Sequence, residues 1–214
     1  MAKYFEEIES VLKKLMVEIC KENPDPSHDI LHIERVVRAA KKLSELENAD
    51  LNIVVPAAYL HDCEVIEKSD PQRSQVSSLS AKKALGILKE LKYPEKYFDG
   101  IAHAIAAHSF SSGIVAETIE AKVLQDADRL DGLGAIGVAR CFSLGGKLNR
   151  PFYSDEDPYA ESRTPDDNTN NLDHFFVKLL KVANKLQTPA AKEDGRKRTE
   201  FLKAFLTQLR SEIL

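Results

Sequence analysis

A seven-residue apolar run, Val54-Val55-Pro56-Ala57-Ala58-Tyr59-Leu60, passes without a break into a charged pair, His61-Asp62. A segment with no polar face has to be covered on every side, so this run belongs at the centre of whatever the chain folds into. The pair that ends it is costly to bury unless a partner compensates it. A divalent cation is such a partner, because neutral imidazole and carboxylate are among its usual ligands.

Around the run the periodicity is helical, and strand alternation is scarce. Residues 3–22 read as an amphipathic helix with Phe5, Ile8, Leu12, Leu15 and Ile19 on one side, ended by Asn23-Pro24-Asp25-Pro26. Ser27 is then the expected N-cap of a helix reaching Leu46, with Ile33, Val36, Val37, Ala40 and Leu43 on its apolar side. A third helix is predicted from Leu51 to Asp62. Pro71-Gln72-Arg73-Ser74 interrupts the chain, and helices follow at 75–91 and at 95–108, the latter with Pro94 at its start. Helical pattern resumes from Thr118 to Asp131, and a glycine-punctuated segment, Gly132 to Gly137, runs on to Phe142. Two closing helices, 171–187 and 190–213, are separated by Thr188-Pro189. Residues 145–170 are rich in Gly, Pro, Asp, Asn and Ser, and a loop of that length is expected to be either a functional lid or disordered. The simplest account is an all-α chain forming one domain over residues 1–214. Its core would span 27–142, with the C-terminal helices 171–213 packed on it.

Composition narrows the function. The 214 residues are 43% hydrophobic and 30% charged, with a net charge of −4. That balance argues against broad nucleic-acid binding, which needs a basic surface, but leaves small anionic substrates open. Cys20, Cys63 and Cys141 are odd in number, far apart and without a CxxC pattern, which suits free thiols in a reducing compartment. Met1 to Glu7 is too acidic for a signal peptide, and no stretch approaches a membrane span. The expected location is the cytoplasm, and the sequence leaves the oligomeric state open.

Two segments can join the pair at 61–62. Upstream lies His28-Asp29-Ile30-Leu31-His32-Ile33-Glu34-Arg35-Val36, and downstream lies Gln125-Asp126-Ala127-Asp128-Arg129-Leu130-Asp131. His28 and His32 are four apart, the spacing of helical zinc sites, but the Glu of a zincin is absent. His28 belongs at the helix entrance, contacting substrate or capping the chain. His32 lies beside the buried stripe. Downstream, periodicity does not choose between Asp126 and Asp128, since both fall on faces with apolar members. A carboxylate not used as a ligand could orient a histidine.

The order His32 … His61-Asp62 … Asp128 resembles the signature of the HD-domain phosphohydrolase superfamily. The sharper local matches are His28-Asp29-x-x-His32-Ile33-x-Arg35-Val36, Leu60-His61-Asp62 and Ala127-Asp128-Arg129-Leu130. The chain is also similar to a smaller bacterial branch, the YedJ-like hydrolases, through Ala106-Ala107-His108-Ser109-Phe110, Gln125 to Gly137 and His174-Phe175-x-x-Lys178-Leu179-Leu180. The resemblance implies an all-helical domain with one metal held by His32, His61, Asp62 and Asp128, and it selects Asp128 over Asp126. It also implies hydrolysis of nucleotide phosphate esters or anhydrides; some relatives split nucleoside triphosphates to monophosphate and pyrophosphate. Two departures are evident. Position 65 is Val where certain members carry a carboxylate, with Glu64 one residue off, and Gln75, Ser77 and Ser78 occupy the region where a further histidine is often found. Both weigh against a binuclear centre.

Two imidazoles and two carboxylates carry a charge of −2, which suits one divalent ion, whether Mn, Fe, Co, Zn or Mg. Such an ion acts as a Lewis acid and activates water. Phosphoryl transfer also needs donors around the substrate oxygens. Asp62 and His108 are the expected catalytic residues, His108 protonating the leaving group or holding a phosphate, while His103 is expected to be structural. His28, Arg35, Arg140 and Lys178 are candidate substrate contacts, with Arg198 weaker. The expected partner is a small phosphorylated substrate, a nucleotide, with no nucleic acid and no membrane. Competing readings are a cyclic-nucleotide phosphodiesterase, an alarmone hydrolase, or a sensor that binds nucleotide or metal without turnover.

Overall fold

Every residue from Val54 to Leu60 is buried, and the helix that contains them, Leu51–Leu60, has neighbours on all sides. A computed structural model describes residues 2–22, 29–66, 75–109 and 112–214, with the backbone alone for residues 2–5. Ser27, His28, Pro71 to Ser74 and Phe110 therefore lie outside the described residues. Those described are all-α, without a strand. The helices are α1 (Ala2–Glu22), α2 (Ile30–Glu47), α3 (Leu51–Leu60), α4 (Val76–Glu90), α5 (Phe98–His108), α6 (Ile119–Asp131), α7 (Gly134–Lys147), α8 (Leu180–Val182) and α9 (Pro189–Ile213). None of them is long and apolar enough to cross a membrane. The chain divides into two compact units, Met1–Asp128 and Arg129–Leu214, the division falling inside α6.

In the first unit α3 packs against α1, α2, α4 and α5. Its start is fixed by Asp50, whose carboxylate accepts from the Asn52 amide at 2.8 Å. Pro56, inside the helix, has no N–H to offer the carbonyl four residues back, that of Asn52. The buried Tyr93 hydroxyl donates to that oxygen instead, at 2.8 Å. A rung that the α3 backbone cannot make is thus made by a side chain from the α4–α5 connection. α2 opens at Asp29 rather than Ser27: the Asp29 carboxylate accepts from the His32 amide at 2.8 Å. Its apolar stripe is the expected one, Ile33, Val36, Val37, Ala40 and Leu43, with His32 and Ser44 buried beside it. The helix ends at Asn48, which takes the left-handed conformation (φ 57°) that often closes a helix. α6 is tied in by Glu120, which accepts from the Asp50 amide at 3.1 Å.

The second unit has α7 packed on α9. α7 starts inside the glycine-punctuated segment, at Gly134, and runs on to Lys147. At Gly137 a Cβ would come within 2.3 Å of the Gly132 carbonyl oxygen, so the glycine permits a backbone approach that no other residue would. The first closing helix is not regular. A π-helical turn, Phe175–Leu179, leads into the three-residue α8 and a 3-10 turn, Ala183–Lys185. Residues 148–174 contain no helix, yet they are ordered by their own side chains. The carboxylate of Asp157 accepts from the amides of Glu161 (2.9 Å) and Ser162 (2.8 Å). Fully buried Asp173 accepts from the Arg163 guanidinium and from the Asp166 amide. That corrects the expectation that a disordered segment is one of the alternatives here.

Candidate metal centre

Four elements of the first unit deliver the candidate ligands. His32 lies buried in the first turn of α2, where the Asp29 carboxylate accepts from its backbone amide. His61 and Asp62 follow the last turn of α3, where the apolar run ends. His108 is the last residue of α5, and Asp128 lies in the final turn of α6. Asp62 is the meeting point. Its Oδ2 lies 3.4 Å from His61 Nε2 and 3.8 Å from His32 Nε2, and its Oδ1 lies 3.6 Å from His108 Nε2. Asp128 Oδ1 stands 3.5 Å from His32 Nε2. The donor atoms form two overlapping groups, His32–His61–Asp128 and His61–Asp62–His108. Asp126 is fully buried and belongs to neither.

The ring orientations are set by backbone. His61 Nδ1 lies 2.8 Å from the carbonyl oxygen of Ala58, three residues back, and His108 Nδ1 lies 2.6 Å from that of Ile105. A carbonyl oxygen can only accept, so each Nδ1 carries a proton; such a ring presents a lone pair at Nε2 when neutral and a donor there when charged. Burial holds the His61 pKa below the ordinary histidine value, against the opposing pull of Asp62. His61 Nε2 is then a buried lone pair with no hydrogen bond, facing carboxylate oxygens. Lone pairs facing carboxylates repel unless something positive lies between them. A divalent ion fits that requirement, and the two carboxylates match its charge.

The other groups titrate in response to the same cluster. Burial pulls the His108 pKa down, but the hydrogen bond and charge of Asp62, with the charge of Asp128, outweigh it and raise the value. For Asp128, burial acts upward while His32, His61 and His108 act downward and prevail.

The remaining sequence candidates have surroundings of their own. Glu64 is turned to an ion pair with Lys83 at 3.3 Å. His103 accepts the Glu117 amide at 3.1 Å, the structural role expected of it. Arg35 lies half-buried on α2, one turn beyond His32. Arg140 and Lys178 belong to the second unit, where Arg140 is paired with Asp131 and Lys178 is exposed. Arg198 donates to the Leu130 carbonyl at 2.7 Å, closing the end of α6. Cys63, at the end of the HD pair, is a buried thiol pushed by burial up to about 12, so it is inert. One contact escaped the sequence reading. Gln125 donates from Nε2 to the Ala107 carbonyl at 2.7 Å, beside His108. Its place in Gln125-Asp126-Ala127-Asp128 was visible; its direction was not.

Comparison with known proteins gives a consistent context. The model of the HD domain matches residues 30–133. The protein YpgQ of Bacillus subtilis (strain 168) is 35% identical over 192 residues, covering 87% of this chain and 84% of its own length. The crystal structure of YpgQ in complex with ADP superposes with a TM-score of 0.74 at 32% identity, covering 96% of this chain and 97% of that one. An HD-superfamily hydrolase from Bacillus thuringiensis gives a TM-score of 0.75 at 32% identity, with 97% of each chain covered.

Proposed function

This chain belongs to the HD-domain superfamily of metal-dependent phosphohydrolases, and from that premise we propose that it cleaves a phosphoanhydride bond of a small nucleotide, converting a nucleoside triphosphate to monophosphate and pyrophosphate. The observation that carries this reading is the position of Asp62, one carboxylate within 3.4–3.8 Å of three imidazole nitrogens. An ADP complex of a relative at 32% identity supports a nucleotide as the substrate.

In this reading His32, His61, Asp62 and Asp128 hold one divalent ion. When bound, such an ion supplies Lewis acidity to a phosphoryl oxygen and acidifies water near neutral pH. The residues do the rest. The Ala58 carbonyl fixes the His61 ring, so the donor set is arranged before substrate arrives. Asp62 orients the attacking water and takes its proton. His108, held by the Ile105 carbonyl, donates a proton from Nε2 to the bridging oxygen that leaves with pyrophosphate. One P–O bond to water forms at the α-phosphorus and one P–O bond to the leaving group breaks. Arg35 supplies positive charge to the substrate's phosphate oxygens.

The test is a panel of nucleoside tri-, di- and monophosphates, cyclic nucleotides and alarmones offered to Mn-loaded protein. Pyrophosphate together with nucleoside monophosphate is the expected product. Tight nucleotide binding without turnover of any panel member would replace this reading with that of a sensor.

A further inference from the structure

Gln125 is buried in the middle of α6, three residues before Asp128, and its side chain points away from the solvent. Its Nε2 donates to the carbonyl of Ala107 at 2.7 Å. That carbonyl belongs to the last turn of α5, one of the four that an α-helix leaves without a partner in its own backbone. The turn is unusual because side chains take its carbonyls. Ile105 is engaged by the His108 ring and Ala107 by Gln125. The next residue, Ser109, is extended (φ −80°, ψ 139°), so the helix stops at His108.

We infer that Gln125 is a positioning residue: it clamps the last turn of α5 and thereby holds His108 Nε2 against Asp62 Oδ1 at 3.6 Å. The amide side chain suits this work. A carbonyl acceptor in a buried site needs a neutral donor, and a charged one would have to be desolvated. The same helix carries Asp128, so one element sets both a proposed ligand and the ring facing it. The kinetic part of the inference rests on the proposed role of His108; the structural part does not.

Two measurements test it. Selectively 15N-histidine-labelled protein reports the His108 imidazole directly, without substrate. Gln125→Met should shift and broaden the His108 side-chain resonances while leaving His103 unchanged. Unmoved His108 signals would overturn the inference whatever the enzyme's substrate. In turnover, Gln125→Met should lower kcat by about 10–100-fold, as loss of an outer-shell contact does. KM should change less than twofold, and so should the dissociation constant for Mn measured by calorimetry. In a His108→Ala background the same substitution should lower kcat no further. Full multiplication of the two losses, or a rise in KM alone, would show that Gln125 does not act through His108. Gln125→Glu, which keeps the size and sets an acceptor against the Ala107 oxygen, provides the same comparison if the methionine variant does not fold. If His108→Ala itself keeps full kcat, the proposed proton donor is wrong, and the resonance shift alone then decides for or against Gln125.

Discussion

Where α3 is held by burying the seven residues Val54 to Leu60, residues 148–174 are held by carboxylates that bind their own amides. In the first case order comes from apolar surface removed from water, which is roughly additive and indifferent to direction. In the second it comes from a few polar groups with fixed partners, Asp157 near the surface and Asp173 wholly buried. A helix of the first kind loses stability in proportion to the apolar volume each substitution removes. A segment of the second kind is expected to lose most of its order with one, because the acceptor serves several donors at once. The candidate chemistry sits at the end of the first kind of element, at His61 and Asp62, where the buried run stops.

Substitutions can break or sharpen that contrast. The largest effect is expected at Asp62→Ala, which should lower turnover on the order of a thousandfold or more, the scale of losing a group aimed at transition-state charge. The melting temperature should barely change, and steady-state kinetics beside a thermal melt would reveal any failure of that separation. Next comes Asp173→Ala, which removes the acceptor shared by the part-exposed Arg163 guanidinium and the Asp166 amide and should destabilise the fold by about 2–3 kcal/mol, the scale of lost hydrogen bonds to a charged group. A denaturant titration measures it, and a loss under about 1 kcal/mol would mean that residues 148–174 are organised otherwise. Tyr93→Phe should cost about 1–3 kcal/mol, since it strands the Asn52 carbonyl. The smallest effect concerns pH. Backbone hydrogen bonds from Ser162 and Glu161 lower the Asp157 carboxyl from 3.8 to about 2. Its folded-state pKa is depressed, so its contribution is present above the unfolded value and fades as pH falls from about 4 toward 2. Melting curves of wild type and Asp157→Asn should therefore converge over that window; a constant gap would locate the effect elsewhere.

The same contrast explains what could be read from the chain. The stripe of α2 and the run of α3 announce themselves, because a repeat of 3.6 requires a helix with one buried face and an unbroken apolar stretch requires burial on every side. The all-α architecture followed from them. Residues 148–174 look by composition like a segment that need not fold. Their order depends on pairings such as Arg163 with Asp173, which no periodicity encodes. The cap of α2 shows the limit at small scale: the sequence reading chose Ser27, whereas the carboxylate that accepts from the His32 amide is that of Asp29. At the candidate site the residue types were legible, but not the means of aiming them. That His61 and His108 each use the carbonyl three residues back depends on where a helix stops, and helix ends are hard to fix to the residue.

Pro56 binds the future of position 93 to its own. While proline remains, a hydroxyl at 93 is needed to satisfy the Asn52 oxygen; once alanine replaces it, the helix can supply its own donor and the tyrosine is released from that duty. A lineage could therefore lose Pro56 first and Tyr93 afterwards with little penalty, whereas the reverse order passes through a weakened intermediate.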